Sequence, residues 1–220
     1  MRTTAVGDVT ILLPDLDPDD LDSTTEPDVD LTDLHVDNAS WRGVALDEVR
    51  VRGSRITGSD LSESTWEGGT VFGWEIVRTD FSGANLSGLS IERSVITGSR
   101  FTGARLTDVR LKDVLFDGCR FDYATFSRVA AGGAVAFVDY ILTDATWSSC
   151  RLPKVVLRSC QLARLELASS QLQGADLRGN SLRGLKTALA NLYGITLTEE
   201  QLPDLTHLAV GELHLAVRAQ

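Results

Sequence analysis

Few residues in the sequence belong to the types that metal binding, redox chemistry or nucleophilic catalysis use. They are Cys119, Cys150, Cys160, His35, His207 and His214. The cysteines are odd in number and lack the close pairing of metal and redox motifs, and the histidines have no cysteine or carboxylate cluster beside them. We interpret the cysteines as buried free thiols and the histidines as ordinary core or surface residues, so no metal or other cofactor is expected.

Catalysis is not expected either. The chain has no phosphate-binding glycine loop, no nucleophile elbow and no metal-ligand spacing. Its glycine pairs, at 68–69 and 132–133, are interpreted as corners or bulges. The sequence therefore indicates a non-enzymatic protein, whose function depends on the surface that its structural elements build.

The composition is that of a folded chain. With 220 residues and 43% hydrophobic content, it has enough apolar material for a sizeable core. No apolar run approaches the ~20 residues needed to cross a bilayer, and the start lacks the basic and apolar stretches of a signal peptide. A cytoplasmic location is therefore expected.

A five-residue period runs through most of the chain. Stepping by five from Leu31 to Phe126, all twenty positions are large and apolar. The residue two places before each of these centres is mostly small, and glycine occupies ten of the twenty places two residues after them. Residues two apart in an extended segment point to the same side, so the centre and the small residue both face inward. The pattern predicts short extended sides joined by corners, in coils that stack and pair like a sheet.

Several quintets resemble the A(D/N)LXX consensus of the pentapeptide repeat family. They are GANLS at 83–87, GARLT at 103–107, GADLR at 174–178 and LANLY at 189–193. The resemblance implies an all-β fold, a right-handed quadrilateral β-helix with four quintets per coil, often dimeric through a C-terminal helix. It also implies one class of function, because the best-known members of the family protect DNA gyrase from quinolones by mimicking duplex DNA.

The register of the period changes once. After Phe126 it resumes at Phe137, eleven residues later. We therefore expect a first solenoid stack at 29–128, a bulge or loop at 129–136 and a second stack at 137–197. Residues twenty apart would be stacked neighbours, so the large Trp74 in the small column is expected to pack between Ser54 and Ser94.

The chain after the last repeat has a different pattern. Thr198 and Gln201 fit a capping box, and the apolar spacing beyond them predicts a helix of about a dozen residues, with Pro203 as an alternative first residue. Alternation at 213–217 predicts an edge strand. We expect 198–220 to cap the last coil or to form a homodimer contact. The predicted contact residues are Leu202, Leu205, Leu208, Leu213 and Leu215.

The first residues, 1–28, lie outside the period and are strongly acidic. A strand at 9–13 is expected to cover the first coil. The sequence at 17–20 is typical of a turn or of the start of a short helix. The segment is predicted to be a cap or an acidic interaction segment. The residues of that interaction segment are Asp15, Asp17, Asp19, Asp20 and Asp22.

The distribution of charge leaves two functional hypotheses. The net charge is -10, but residues 1–37 hold eleven acidic residues and one basic, whereas 38–197 hold sixteen acidic and nineteen basic. A DNA mimic needs phosphate-like charge along its length. We therefore expect a rigid protein-interaction or scaffolding module with a protein partner, and no direct contact with nucleic acid or membrane. The alternative is a DNA mimic that binds, and protects or inhibits, DNA gyrase or topoisomerase IV.

Overall fold

The computed structural model describes residues 2–218, and most of them form one β-solenoid of about eight turns. Residues twenty apart are neighbours in parallel ladders: Asn85–Ser87 pairs with Arg105–Thr107, which pairs with Thr125–Ser127. Because four quintets fill an interval of twenty residues, each turn has four sides, whose outer surfaces we call walls. The predicted all-β solenoid is confirmed.

The sides of the coils are short strands, as the five-residue period predicts. In chain order the strands are β1 Arg2–Val6, β2 Val9–Leu13, β3 Asp22–Thr24, β4 Asp30–Thr32, β5 Leu34–Asp37, β6 Ala45–Arg52, β7 Arg55–Thr57, β8 Thr65–Phe72, β9 Glu75–Val77, β10 Asn85–Ser87, β11 Ser90–Thr97, β12 Arg105–Thr107, β13 Arg110–Asp117, β14 Thr125–Ser127, β15 Ala130–Ala131, β16 Val135–Val138, β17 Thr146–Ser148, β18 Val156–Arg158, β19 Glu166–Ala168 and β20 Lys186–Thr187. Strands β3 to β20 form one sheet that winds around the axis. The helical elements are the 3-10 helices Pro18–Asp20, Leu189–Leu192 and Glu199–Gln201, and the helix α1, Leu202–Glu212.

The core is a narrow rod filled by the predicted apolar column. All twenty centres from Leu31 to Phe126 are buried, and Leu106 is only 2% exposed. Aromatic centres stack coil on coil, with ring centroids 4.8 Å apart for Phe81 and Phe101 and 4.4 Å apart for Phe101 and Phe121. Each coil therefore buries its side chains mainly against the coils above and below it, which makes the stack stiff along its axis.

The small inward column also has a hydrogen-bonding role. The hydroxyl of Ser54 donates to the backbone oxygen of Leu31 (2.6 Å) and accepts from the backbone nitrogen of Leu34 (3.0 Å). Ser59 likewise accepts from the backbone nitrogen of Ala39, twenty residues earlier. These serines pair backbone groups near the corners, where the ladder is interrupted, and so avoid the cost of unpaired buried polar groups.

Trp74 occupies the small column in the way the sequence predicts. It is 4% exposed, and its backbone nitrogen donates to the hydroxyl of Ser94 (3.3 Å). Its ring packs against that of Trp66, with centroids 5.6 Å apart. Trp74 is therefore a packing residue of the core.

The corners require a left-handed backbone. Gly103 has φ +67°, and the same place in other quintets is taken by non-glycine residues such as Asp33 (φ 53°) and Arg128 (φ 54°). Glycine is common there because it adopts positive φ without the steric cost of a Cβ. The conformation belongs to the position in the coil, and other residues are held in it by the ladders on both sides.

The change of register is a single inserted residue. Leu111 pairs with Ala131, twenty residues later, whereas Val114 pairs with Val135, twenty-one residues later. The extra residue lies in 132–134, and β13 is paired on both sides of it. The two stacks expected from the sequence are therefore one continuous solenoid with a local bulge.

The 3-10 helix Glu199–Gln201 and the helix α1 close the C-terminal end of the solenoid. The side-chain nitrogen of Gln201 donates to the backbone oxygens of Leu177 (2.8 Å) and Asn180 (2.7 Å). Asp204 accepts from the backbone nitrogen of Leu182 (3.0 Å). The capping box of Thr198 and Gln201 is present. The predicted helix therefore forms, and its first turns satisfy backbone groups of the last coil.

The predicted edge strand is wrong. Within the described chain, 213–218 contains no strand. The backbone nitrogen of Leu213 donates to Ala209 (3.0 Å) and so continues the end of α1. A single strand needs an open sheet edge to pair with. Because Gln201 and α1 cover the end of the last coil, residues 213–217 have no such edge beside them.

The N-terminal strands do not cover the first coil, which corrects a second expectation. Strands β1 and β2 pair with each other in a separate antiparallel sheet. This hairpin lies against one wall of the solenoid, where Ile11 and Leu13 are buried against residues that include Ala136 and Val156. The apolar face of the hairpin is thereby buried against apolar outward residues of this wall.

The first coil is instead completed by β3. Strand β3 pairs with β5 only twelve residues later, at Asp22 and Leu34. The indole nitrogen of Trp41 donates to the backbone oxygen of Thr25 (2.7 Å). Residues 22–25 therefore close the N-terminal end of the rod.

Candidate protein-interaction surfaces

Ion pairs run along the walls parallel to the axis. Arg128 donates two hydrogen bonds to Asp108, both 2.7 Å, and Arg164 donates two to Asp144, both 2.6 Å. The partners are twenty residues apart and so lie on adjacent coils. Similar pairs join Arg100 with Asp80, Lys112 with Glu92 and Arg50 with Asp30. These pairs neutralise charge within the walls themselves.

The arginines also affect the acidity of their partners. The hydrogen bond from Arg128 holds the pKa of Asp108 below its ordinary value, and the one from Arg164 does the same to the pKa of Asp144. Both carboxylates therefore stay charged at neutral pH. Because the pairs lie at the surface, their role is to fix the charge pattern of the wall more than to stabilise the fold.

One outward ladder shows how charge varies along the rod. It runs through Asp60, Asp80, Arg100 and Arg120, which are bridged to one another on successive coils. The sign of the charge changes between the second and third of these coils. This wall therefore presents an acidic stretch followed by a basic one.

The acidic end of the rod gathers the predicted interaction residues. We call the predicted residues Asp15, Asp17, Asp19, Asp20 and Asp22, together with Glu26 and Asp28, the acidic end. All seven side chains are exposed. The 3-10 helix Pro18–Asp20 begins with Asp17 as its cap, since the carboxylate of Asp17 accepts from the backbone nitrogen of Asp19 (3.1 Å). Strand β3 then ties the segment to the first coil. These carboxylates therefore lie within one contiguous stretch of the chain, residues 15–28.

The predicted C-terminal contact residues separate into two groups. Leu205 and Leu208 pack against the core of the solenoid and belong to the cap. Leu202, Leu213 and Leu215 are 52%, 59% and 54% exposed, and Val217 is 78% exposed. We call these four exposed side chains the C-terminal apolar surface. Each of its four side chains has more than half of its surface exposed to solvent.

The three cysteines of the sequence lie in the core, apart from these surfaces, whereas His214 lies between Leu213 and Leu215 of the C-terminal apolar surface. Cys119, Cys150 and Cys160 are buried free thiols, as predicted. Burial raises the pKa of Cys119 and that of Cys160 to about 12 and also raises the pKa of Cys150. The histidines lie on separate elements: His35 is on β5, His207 is on α1, and His214 follows α1. The thiols are therefore packing residues of the core.

One feature of the walls was missed by the analysis of the sequence. On one wall, the residue directly before each apolar centre points outward. From the first coil to the last, these outward residues are His35, Arg55, Glu75, Val95, Leu115, Ala136, Val156, Asp176 and Thr196, and those at both ends of the series are polar. Four consecutive coils are apolar at this place, and we call Val95, Leu115, Ala136 and Val156 the apolar stripe. Stepping by twenty along outward positions, with one extra residue between Leu115 and Ala136, would have found it. The N-terminal hairpin lies on this stripe.

Tyr140 is a second residue that the sequence analysis missed. It takes the place of a small residue in the column between Cys119 and Cys160, and its ring stacks on Phe121 with centroids 4.7 Å apart. Complete burial raises the pKa of Tyr140 well above its ordinary value. Its position two residues before Leu142, analogous to that of Trp74, was the available signal.

The comparisons with known proteins agree with this architecture. The chain forms a four-sided solenoid of five-residue repeats, and family models of pentapeptide repeats match it twice, at 81–125 and at 141–179. The chain therefore contains pentapeptide repeats in both of these segments. None of the helices in residues 2–218 is long and apolar enough to span a membrane. No curated protein matches the sequence.

Solved structures of pentapeptide repeat proteins are similar to the chain at low identity. HetL, a protein involved in heterocyst differentiation regulation in the cyanobacterium Nostoc sp. strain PCC 7120, is 20% identical, with a TM-score of 0.45 over 76% of this chain and 84% of HetL. QnrB1, a plasmid-mediated fluoroquinolone resistance protein, is 17% identical, with a TM-score of 0.39 over 86% of this chain and 90% of QnrB1. Rfr23 of the cyanobacterium Cyanothece 51142 is 10% identical, with a TM-score of 0.20 over 74% of this chain and 91% of Rfr23.

Proposed function

We propose that the chain is a rigid, non-catalytic protein-interaction module. The observation that carries this proposal is the continuous ladder from β3 to β20 around a densely packed core. Such a ladder holds outward side chains at fixed spacings of roughly 4.8 Å along the axis. A partner that matches the pattern binds without having to order the surface first, and so loses less free energy on association.

The acidic end is the surface that we assign to a basic protein partner. Its carboxylates are exposed and lie within one contiguous stretch of the chain, and electrostatic attraction of this kind speeds association and weakens with salt. The test compares proteins captured from the native cell extract by the wild-type chain and by a variant carrying Asp17→Asn, Asp19→Asn, Asp20→Asn and Asp22→Asn. We expect a basic partner that binds the wild type, is lost with the variant and is released by salt.

Asp108→Asn is the matched control for that experiment, because it removes a carboxylate from the wall and leaves the acidic end unchanged. The control should capture the same partner as the wild type. Equal capture by the wild type and the fourfold variant would refute the assignment of the acidic end.

We also propose that the chain forms a homodimer through the C-terminal apolar surface. Leu202, Leu213 and Leu215 are large apolar side chains with more than half of their surface exposed, which is unfavourable in a monomer and typical of a contact region. Sedimentation equilibrium should give a dimer for the wild type and a monomer for the double variant Leu213→Asp, Leu215→Asp. Tyr123→Asp, at an exposed position in the middle of the rod, is the control and should remain dimeric.

The DNA-mimic hypothesis receives less support from the charge pattern. The ladder through Asp80 and Arg100 changes sign along the axis, and the axial ion pairs neutralise other carboxylates of the walls. A gyrase supercoiling assay, with and without a quinolone, separates the two hypotheses. We expect neither inhibition nor rescue at micromolar protein, and either effect would favour the mimic.

A further inference from the structure

The apolar stripe is bounded by charge at both ends. Glu75 precedes Val95 on the same wall, and Asp176 follows Val156. Both carboxylates are nearly buried, at 5% and 6% exposure, and both are held by arginines of the solenoid: Arg55 donates to Glu75 (3.0 Å) and Arg158 to Asp176 (2.8 Å). The wall therefore contains an apolar patch four coils long, with a charged group at each end.

The N-terminal hairpin matches this patch in pattern and in length. Val6, Val9 and Ile11 lie on the face that packs on the stripe, and Ile11 is completely buried. Each hairpin strand has five residues, a length of roughly 16 Å. Three steps between the four coils of the stripe cover roughly 14 Å. One strand of this length therefore covers the whole stripe.

Charge complementarity fixes the direction of the hairpin. At one end Arg2 donates to Glu75 (3.2 Å). At the other end Arg178 donates to Asp8, in the hairpin turn, at 3.1 Å. The turn lies close to the wall there, since a Cβ built on Gly7 would be 3.0 Å from a carboxylate oxygen of Asp176. A segment that fits the stripe thus carries a cation towards Glu75 and an anion towards Arg178.

The hairpin is not part of the solenoid's own ladder of strands. It forms its own two-stranded sheet, and the hydrogen bonds described between residues 2–13 and the wall are made by side chains. An isolated two-stranded hairpin is marginally stable in water, and its order here depends on docking. Residues 14–21 connect it to β3, and eight residues can extend over roughly 27 Å, which allows the hairpin to leave the wall while the coils stay folded.

We propose that the apolar stripe is a binding surface for an extended or hairpin segment of a partner protein, and that residues 2–13 are its intramolecular competitor. The partner segment has apolar side chains at alternate positions, a basic residue towards Glu75 and an acidic residue towards Arg178. Tethering gives the hairpin a high effective concentration, so the stripe is closed until such a segment displaces it. This inference rests on the proposed role of the chain in protein interaction and assigns it a surface distinct from the acidic end.

The test uses the full chain and a fluorescein-labelled peptide with the sequence of residues 2–13. Ile11→Asp places a carboxylate in the contact and releases the hairpin, whereas Thr10→Asp makes the same change on the exposed side of the same strand. In fluorescence anisotropy the peptide should bind the Ile11→Asp chain at least tenfold more tightly than the wild type or Thr10→Asp. Adding Leu115→Asp to Ile11→Asp should abolish that binding, and a peptide with Arg2→Glu should bind more weakly.

Equal binding to the wild type and to Ile11→Asp, or no binding to a folded Ile11→Asp chain, would overturn the proposal. Hydrogen exchange of the wild type provides a measurement that does not depend on a variant. Amides of the hairpin strands should exchange at least tenfold faster than those of β12, and equal rates would show that the hairpin does not open by itself. A wild-type dimer that Ile11→Asp abolishes and Thr10→Asp preserves would assign the stripe to a second copy instead. These outcomes concern the stripe alone and leave the acidic end to its own experiment.

Discussion

Gly69 lies directly against the backbone of Val49 on the preceding coil, so closely that a Cβ added to Gly69 would be 2.0 Å from the carbonyl oxygen of Val49. The two residues are paired in the ladder between β6 and β8. Gly69 also has φ +110°, outside the conformations that residues with a Cβ adopt easily. At this spacing between the coils, only glycine fits at position 69, because any larger residue would clash with the backbone of Val49.

We expect Gly69→Ala to destabilise the fold by at least about 3 kcal/mol, because two hydrogen-bonded coils must move apart. Gly103→Ala is the control: Gly103 is also left-handed, at φ +67°, but an added Cβ would have no neighbour within 4 Å. It should cost only about 1–2 kcal/mol, the backbone term alone. Urea denaturation measures both, and similar losses would show that close approach is not the cause.

Leu106→Asp should prevent folding or lower stability by several kcal/mol, since it buries an unpaired carboxylate in the core column. The adjacent Thr107 is on the outer side of the same strand, so Thr107→Asp should leave the melting temperature nearly unchanged. Circular dichroism melting curves distinguish the two variants. A similar melting temperature for both would contradict the inward assignment of every fifth residue.

The three thiols should be unreactive in the folded protein. Burial raises the pKa of Cys119 and Cys160 to about 12, so at pH 8 both are protonated as well as inaccessible. We expect no reaction of Cys119, Cys150 and Cys160 with a disulfide reagent at pH 8, and three equivalents after denaturation. Fast labelling of the native chain would mean that the coils open locally.

Asp176 should contribute stability at neutral pH. Its hydrogen bond from Arg178 is the main reason that the pKa of Asp176 is below its ordinary value. A carboxyl with a lowered pKa in the folded state stabilises the fold above its unfolded pKa, and this contribution disappears as pH falls through the folded pKa. Asp176→Asn should therefore lower the melting temperature at pH 7, and the difference from the wild type should shrink towards pH 2.

Asp117 should behave in the opposite way. Burial, followed by repulsion from Asp139, raises the pKa of Asp117, so its ionisation favours the unfolded chain. The destabilisation develops as pH rises from the unfolded pKa to the folded pKa and persists at neutral pH. Asp117→Asn should raise the melting temperature at pH 7 and have little effect near pH 2. The same sign for Asp117→Asn and Asp176→Asn would contradict these assignments.

The coil, its core and its corners could be predicted because each residue of a quintet has one fixed direction. Leu86 and Leu162 are buried where the period places them, and Trp74 fits between its serine neighbours. A side chain shifted by one place would face the other side of the strand, so the register has a strong apolar signal. The inserted residue near Gly133 could be recognised in the sequence because it shifts every later apolar centre by one place.

The ends of the chain were harder to place, because they lack the period and pack by tertiary contact. The strand expected at 9–13 forms, but the wall that receives it depends on four residues spread over about sixty positions. The alternation at 213–217 also predicts a strand, but no open sheet edge is available there. The local sequence pattern can predict a strand, but it does not show whether the rest of the fold offers a surface or a sheet edge for that strand to pack against.

The closed end at Gln201 has a consequence for how the protein assembles. A column of identical coils is self-complementary, and an unpaired last coil would add further molecules end to end until a fibre formed. With its amide already bonded to Leu177 and Asn180, Gln201 removes acceptors that such growth would use. The number of turns, and with it the span between the two tips of the molecule, is thereby set by the sequence and not by protein concentration.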